Sequence, residues 1–178
     1  MQYISHYTSP VGDMLLAGDD MGLNGLWLEG QKYYPGSLIL EYEEKELPVF
    51  TQTKEWLTVY FAGKEPDFMP PLHPIGTAFQ MEVWDILRQI PYGQTITYGA
   101  IARKIAGKRR TSRMSAQAVG GAVGHNRISI LIPCHRVVGA DGSLTGYAGG
   151  LDMKRRLLTL EGVDMEQTQK SCTTEPCL

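Results

Sequence analysis

Cysteine is scarce in this chain of 178 residues, and the scarcity excludes several kinds of protein. The three cysteines are Cys134, Cys172 and Cys177, and no two of them have CxxC spacing. Because their number is odd and small, they do not form the disulfide framework of a small secreted domain. The four histidines are scattered, so no structural zinc motif is predicted. Sparse thiols are typical of a reducing compartment, which predicts a cytoplasmic protein.

Long apolar segments are also missing. The strongest apolar stretch, residues 128–132, is far too short to cross a bilayer, and residues 1–6 lack the basic and apolar regions of an export signal. Hydrophobic residues make up 43% of the chain and charged residues 20%, which is the balance of a folded protein. The length suits one ordinary domain or two small ones, and we expect no association with a membrane.

Acidic residues are absent from the middle of the chain. Residues 86–140 contain nine lysines and arginines but no aspartate or glutamate, whereas residues 1–85 contain 13 acids and four bases. The formal net charge of −2 therefore conceals a block of net charge +9, which indicates a polyanionic partner such as nucleic acid. A solvated basic face that binds nothing is the alternative interpretation.

The first part of the chain has the pattern of strands followed by a helix. Three segments rich in aromatic, β-branched and other apolar residues are separated by glycine, aspartate and asparagine: 2–8, 12–17 and 22–28. Their spacing predicts an antiparallel meander. A helix is predicted to begin at Pro48 and to end at Gly63.

The second part of the chain has mainly helical patterns. Residues 77–91 begin with capping-box spacing and continue with helical periodicity. Two short helices over 97–107 and 115–124, joined by a basic turn, suggest a helix-turn-helix. Gly120 and Gly121 lower the helix propensity of the second by roughly 1 kcal/mol each, and we expect the close approach of another backbone to compensate.

The remaining patterns complete the domain prediction. Residues 128–132 are predicted to form a buried strand, and residues 151–161 a final helix that ends at Gly162. Four prolines within 63–76 indicate a linker. We therefore predict an N-terminal domain, a second domain and a flexible tail, with these bounds: 1–73, 74–165 and 166–178.

One cysteine lies in a chemically suggestive setting. Cys134 follows Pro133 and precedes His135 and Arg136, within the positively charged block. Positive surroundings favour the thiolate, which is the nucleophilic form, although a buried structural cysteine is the alternative. Adjacent side chains of an extended chain point to opposite faces, so a turn or a bridging water must connect the thiol to the imidazole.

The segment Pro133-Cys134-His135-Arg136-Val137 matches the active-site motif of the O6-alkylguanine-DNA alkyltransferases, also called methylated-DNA–protein-cysteine methyltransferases, and the chain resembles this family over about residues 77–163. Independent motifs follow in the family's order: Phe79-Gln80, Val83-Trp84, Ile90-Pro91-Tyr92-Gly93, Thr97-Tyr98-Gly99, Ala118-Val119-Gly120, Asn126, Gly146-Tyr147-Ala148-Gly149-Gly150 and Leu160-Glu161-Gly162. The resemblance implies an α+β protein with a small ribonuclease-H-like N-terminal domain and a helical C-terminal domain that contains a winged-helix-like helix-turn-helix.

The resemblance also implies a role for each matching residue at the cysteine. Cys134 is expected to accept the alkyl group, His135 to take the thiol proton through a water, and Glu161 to orient His135 and balance its charge. Asn126 is expected to hold the turn that carries Cys134, and Tyr98 to donate a proton or hydrogen bond to the departing guanine.

Further residues are expected to contact the substrate and the DNA. The resemblance places a loop containing Tyr147, Ala148 and Gly149 over the base, and the second helix of the helix-turn-helix in the minor groove. Five residues are expected to contact the DNA: Arg113, Gln117, Ala118, Gly121 and Arg127. Two of these positions depart from the family pattern, because the family usually has arginine where this chain has Gln117, and often proline where it has Arg127.

The resemblance implies an irreversible, single-turnover reaction on O6-alkylguanine, and on O4-alkylthymine, by a monomer that needs no cofactor. A protein that recognises alkylated bases or regulates transcription without chemistry is one alternative, and Cys134 argues against it. A cysteine hydrolase with true turnover is another, which needs an oxyanion hole and a path for water that the sequence neither shows nor excludes.

Overall fold

The computed structural model describes residues 1–32, 34 and 41–166. The predicted tail, apart from Glu166, lies outside the described residues, as do Cys172 and Cys177. The described chain forms two compact units, the first formed by Met1–Ile75 with Arg127–Ser129 and the second by the rest of the described chain. Every helix in the described ranges is too short or too polar to cross a lipid bilayer.

The first unit is a four-stranded sheet with one helix. Its elements are β1 (Gln2–Ser9), β2 (Gly12–Asp19), β3 (Gly22–Leu28), β4 (Tyr42–Glu44) and α1 (Pro48–Phe61). The strand order is β3-β2-β1-β4, with the first three strands antiparallel and β4 parallel to β1. The predicted meander and the helix that begins at Pro48 are confirmed.

The core of the first unit lies where α1 packs on the sheet. All seven residues of β3 are buried, and α1 contacts β1, β2 and β3. Phe50, Leu57 and Tyr60 of α1 are fully enclosed, and the ring of Tyr60 stacks on that of Trp56 at 5.3 Å between centroids. Apolar burial on this scale provides most of the free energy that holds the helix on the sheet.

Part of the predicted linker is fixed to β3. The Leu23 amide donates to the Pro71 carbonyl at 2.8 Å, and the His73 amide donates to the Leu23 carbonyl at 2.7 Å. The imidazole of His73 also hydrogen-bonds the Asp19 carboxylate, with Nδ1 2.9 Å from Oδ2. The last part of the proline-rich segment is therefore ordered and lies along β3 as part of the first unit.

The second unit consists of helices around a two-residue parallel strand pair. Its elements are α2 (Ala78–Arg88), β5 (Ile96–Thr97), α3 (Tyr98–Arg109), α4 (Ala116–Gly124), β6 (Val137–Val138) and α5 (Leu151–Leu160). Thr77 forms the predicted capping box with Gln80, and Thr97 and Ser115 cap the next two helices. Helices α2, α3 and α4 contact one another, as expected of a helix-turn-helix with a supporting helix.

The predicted end of α3 at Gly107 is wrong. The helix continues to Arg109 and ends at Arg110, which has a φ of 53° in the left-handed region. The amides of Arg110 and Thr111 donate back to carbonyls of the last turn, which satisfies the helix end without glycine. Gly107 lies at an exposed position inside the helix.

The predicted strand over 128–132 is also wrong. Ile128 makes one isolated bridge to Leu26, and Ile130 has a φ of 70°, a left-handed conformation that interrupts an extended chain. Ile130 and Ile132 are buried nevertheless. The apolar run therefore reflects burial within consecutive turns, which periodicity cannot distinguish from a short buried strand.

Candidate active site

Cys134 begins a short 3-10 turn, Cys134–Arg136, just before β6. Its amide donates to the Ile132 carbonyl at 2.8 Å, and the Asn126 side-chain amide donates to the same carbonyl at 2.8 Å. Asn126 also hydrogen-bonds the thiol of Cys134, which is 6% exposed. The structure thus brings together two residues that the resemblance singled out, because the side chain of Asn126 bonds the segment that leads into the turn of Cys134.

His135 and Glu161 form a buried pair. The imidazole Nε2 lies 2.6 Å from Oε1 of Glu161, and neither side chain has solvent-accessible surface. An ionised carboxylate can only accept, so Nε2 carries the hydrogen and Nδ1 of neutral His135 is the basic nitrogen. The remaining basic nitrogen therefore suits His135 for taking up a proton.

Arg136 anchors the same carboxylate from the other side. Its guanidinium donates through Nε to Oε2 of Glu161 at 2.9 Å and through Nη2 to Oε1 at 3.0 Å. A third donor, Nη1, reaches the Ile90 carbonyl at 2.7 Å. Sequence reasoning assigned Arg136 no role, although its place in the same short turn as Cys134 and His135 was a usable signal.

The electrostatics of this cluster set the resting protonation states. Burial favours the neutral carboxyl of Glu161, but the hydrogen bonds and charges of His135 and Arg136 outweigh burial and hold its pKa at about 2. Burial lowers the pKa of His135, against the opposing effect of Glu161. At neutral pH the carboxylate is therefore charged and the imidazole is neutral and able to accept a proton.

Burial raises the pKa of the Cys134 thiol above its ordinary value of 9.0, and the opposing effects of Asn126 and Lys154 do not overcome it. The expectation that the positive block favours the thiolate is therefore wrong for the resting protein, because desolvation outweighs the surrounding charge. The thiol is protonated at rest. Nucleophilic chemistry at Cys134 consequently needs a base, and the neutral imidazole of His135, the next residue in the same turn, is the candidate.

Two side chains hold the loop that the sequence placed over the substrate. The Tyr98 hydroxyl donates to the Thr145 carbonyl at 2.9 Å, and Nζ of Lys154 donates to the carbonyls of Thr145 and Gly146, each at 3.2 Å. Lys154 is fully buried, and burial lowers its pKa to about 8. Sequence reasoning missed Lys154, because a lysine on an amphipathic helix usually faces water.

The loop itself continues through Tyr147, Ala148 and Gly149. All three residues are half-buried, and the Gly150 amide donates to the Tyr147 carbonyl at 3.0 Å. The charges of Cys134 and Glu161 act on the Tyr147 phenol, so the ring lies within electrostatic reach of both. Tyr147 is therefore close enough to Cys134 for an electrostatic interaction, while contacts of Tyr147, Ala148 and Gly149 with a substrate stay a prediction.

Helix α4 presents an exposed face with small residues. Gln117, Ala118 and Gly121 are exposed, and Arg113 is exposed in the turn before the helix. A Cβ added at Gly121 meets no described atom within 4 Å, so the expected approach of another backbone within the chain is wrong. Arg127 belongs to the first unit, where its carbonyl accepts from the Leu26 amide at 2.8 Å.

The low pKa of Glu161 makes a prediction for acid stability. The folded pKa of about 2 lies below the ordinary 4.5, so the pair stabilises the fold above pH 4.5 and loses this contribution as pH falls toward 2. The loss amounts to about 3 kcal/mol. Urea unfolding across this range, compared with Glu161→Gln, measures it. If Glu161→Gln loses the same free energy of unfolding between pH 4.5 and pH 2, Glu161 is not its source.

Fold and site together define a helix-turn-helix protein with a buried cysteine beside a histidine–carboxylate pair. Residues 2–74 match the family model described as "6-O-methylguanine DNA methyltransferase, ribonuclease-like domain", and residues 78–163 match "6-O-methylguanine DNA methyltransferase, DNA binding domain". The chain therefore belongs to the 6-O-methylguanine DNA methyltransferase family, and the α+β fold class predicted from the sequence is confirmed.

Individual relatives agree with the family assignment. A methylated-DNA–protein-cysteine methyltransferase of Methanosarcina acetivorans is 47% identical over 163 residues, which cover 90% of this chain and 98% of the relative. Its counterpart in Haemophilus influenzae is 43% identical over 162 residues, covering 90% and 87%. A crystal structure of Mycobacterium tuberculosis OGT in complex with DNA gives a TM-score of 0.77 at 38% identity, covering 94% of this chain and 99% of that chain.

Proposed function

We propose that the protein repairs DNA by transferring the alkyl group of O6-alkylguanine, and of O4-alkylthymine, irreversibly to its own Cys134. The observation that carries the proposal is the buried cluster in which Cys134 and His135 share one turn and Glu161 accepts from His135 at 2.6 Å. Its supporting context is the family, together with relatives named for transfer from methylated DNA to a protein cysteine.

The proposed reaction begins with the thiol proton. His135 takes this proton through a water, and Glu161 balances the imidazolium that results. The sulfur then attacks the alkyl carbon, a carbon–sulfur bond forms, the carbon–oxygen bond breaks, and its electron pair remains on the guanine. Tyr98 donates a hydrogen bond or proton to that guanine, because a developing anion leaves more readily when it is neutralised.

The product explains why the reaction stops after one turnover. A thioether at Cys134 is chemically stable, and the cluster supplies no group that regenerates the thiol. The reaction as written needs no cofactor. The protein acts as a monomer, since one chain carries the complete cluster, and it acts in the cytoplasm, where a reducing environment keeps the thiol available.

The alkylated base must leave the duplex to reach a buried thiol. Extrusion costs a few kcal/mol, least where base pairing is already damaged. In our proposal α4 lies in the minor groove of double-stranded DNA, with Gln117, Ala118 and Gly121 on its exposed face, while Arg113 and Arg127 contact phosphates. The crystal structure of the Mycobacterium tuberculosis relative in complex with DNA supports the part of this proposal that concerns DNA binding.

The decisive test is intact mass after incubation with duplex DNA containing O6-methylguanine. We expect one addition of about 14 Da, located on Cys134 by peptide mapping. Unmodified protein that still binds the lesion indicates a recognition module without chemistry. Repeated turnover with unmodified protein indicates a hydrolase, and either result overturns the proposal.

Gln117 gives a prediction about extrusion. Arginine at this exposed position adds a positive charge and several donors among the phosphates, whereas glutamine offers two donors and no charge. We therefore expect Gln117→Arg to speed transfer from duplex DNA several-fold and Gln117→Ala to slow it. Both variants should react with free O6-benzylguanine at the original rate, because a free base needs no extrusion. Equal changes in the two second-order rates place Gln117 in the pocket instead.

Gly121 gives a second prediction, about the fit of α4 to DNA. No atom of the described residues lies within 4 Å of a Cβ placed at Gly121, so Gly121→Leu should fold normally and should keep its reaction with free O6-benzylguanine. A side chain in a tight groove costs about 1–3 kcal/mol, so affinity for duplex DNA should fall several-fold or more. Fluorescence anisotropy measures the affinity. If the affinity is unchanged, this face of α4 does not contact the DNA.

A further inference from the structure

The hydroxyl of Tyr147 stands out among the polar groups near Cys134. Its oxygen has no contact with solvent, and it has no hydrogen-bond partner among the residues that the structure describes. Leaving a buried hydroxyl unsatisfied costs free energy, and native proteins rarely retain such a group without a partner or a purpose. If the hydroxyl had no role, phenylalanine could replace tyrosine here, since it fills almost the same space without an unsatisfied polar group.

The position of Tyr147 is fixed by its loop. The two residues before it are held by Lys154, through carbonyl contacts of 3.2 Å, and Thr145 also accepts from Tyr98 at 2.9 Å. The Gly150 amide closes the loop on the Tyr147 carbonyl at 3.0 Å. The backbone on both sides of Tyr147 is therefore held by hydrogen bonds, and its hydroxyl is buried.

The protonation state of Tyr147 is equally constrained. Burial raises its pKa well above 10.0, and the charges of Cys134 and Glu161 raise it further. The phenol thus keeps its proton throughout the reaction and acts as a hydrogen-bond donor. The phenol is within electrostatic reach of Cys134, where the proton path begins, and of Glu161, which holds the imidazole at which the path ends.

We propose that Tyr147 is a positioning residue whose hydroxyl donates a hydrogen bond to the water that carries the proton from Sγ of Cys134 to Nδ1 of His135. A buried water is held in place when two to four polar groups contact it. Its two lone pairs accept from the phenol and from the thiol, and one of its hydrogens points to Nδ1. Tyr147 thereby selects the orientation in which proton transfer runs from sulfur to nitrogen.

The proton balance of this arrangement is complete. The thiol proton passes to the water, the water gives one hydrogen to Nδ1, and the electron pair stays on sulfur. Tyr147 gives up nothing, and the water is restored. The product is a thiolate hydrogen-bonded to an ordered water, beside an imidazolium that is paired with Glu161.

Because this role presupposes the alkyl transfer proposed above, the test uses the full chain and the free base O6-benzylguanine. Tyr147→Phe should slow transfer by roughly 10-fold to 100-fold, at or below the lower limit for direct acid–base assistance, because Tyr147 only positions the water. The pH at which the rate rises should also be higher in this variant, because the thiolate loses the hydrogen bond from a well-ordered water. Tyr7→Phe is the matched control, since it removes a phenol hydroxyl that bonds Thr58 in the first unit.

A double-mutant comparison separates positioning from packing. If Tyr147 acts through the water that serves His135, Tyr147→Phe should have little effect in a His135→Gln background. If the hydroxyl acts instead on the base, its effect should be the same in both backgrounds, and if the ring merely packs, Tyr147→Phe should react at the wild-type rate because phenylalanine keeps the ring. Thermal unfolding of Tyr147→Phe shows that the variant is folded.

The failures of the two proposals are distinguishable. A wild-type protein that never becomes alkylated contradicts the proposed function. A wild-type protein that reacts, beside a Tyr147→Phe variant with an unchanged rate, an unchanged pH profile and a higher melting temperature, contradicts only the role of Tyr147. That result identifies the hydroxyl as an idle, destabilising group.

Discussion

Cys134→Ser should lose alkyl transfer by several orders of magnitude while it keeps its affinity for DNA. Serine retains the short polar side chain that Asn126 contacts, so the turn that carries it should persist. An alcohol, however, gives up its proton far less readily than a thiol, and the neutral imidazole of His135 is too weak a base to compensate. Helix α4 and the rest of the helix-turn-helix are unaffected.

Two measurements check this expectation on the same sample. Intact mass after incubation with alkylated duplex DNA should show no addition, and anisotropy with the same DNA should show unchanged affinity. Cys134→Ala should behave like the serine variant, because neither carries a thiol. If binding and transfer fall together, Cys134 is a structural residue, and its side chain, which is 6% exposed, serves only to pack the core.

Arg136→Met should cost about 3–5 kcal/mol of unfolding free energy, because it leaves the Glu161 carboxylate buried without its main counter-charge. The Ile90 carbonyl also loses its donor. The pKa of Glu161 should rise as a consequence. Transfer should fall as well, since the orientation of His135 depends on a charged and fixed Glu161.

Arg155→Met is the matched control for this variant. Arg155 pairs with Asp152 on the surface of α5, with exposed fractions of 61% and 98%, and such pairs contribute little to stability. Urea unfolding should separate the two variants clearly, and Arg136→Lys should lie between them, because lysine keeps the charge without the planar fork. If Arg136→Met costs no more than the control, the buried network has little energetic weight.

The sequence predicted well what depends on neighbours along the chain. Thr77, Thr97 and Ser115 were recognised as helix starts because a capping hydroxyl contacts an amide three residues later. Such a contact is local and needs no knowledge of the tertiary fold. The same locality explains the confirmed meander, whose strands are joined by short turns.

Features that depend on distant contacts were predicted poorly. Arg136 and Glu161 are 25 residues apart, and their double hydrogen bond is invisible to periodicity. Lys154 lies in a charged stretch that is typical of a solvated helix face, yet it is fully buried. The raised pKa of Cys134 followed from burial, whereas a count of nearby charges predicted the opposite.

The hydrogen bond from Tyr98 to Thr145 has a consequence for when this tyrosine contributes to catalysis. A base that enters the site gains nothing by capturing this hydroxyl, because one neutral acceptor merely replaces another. The exchange becomes favourable as negative charge builds up on the departing guanine, since hydrogen bonds to charged acceptors are roughly twice as strong. In the proposed reaction, Tyr98 therefore binds the transition state more tightly while leaving substrate affinity unchanged, the condition under which binding energy accelerates a reaction.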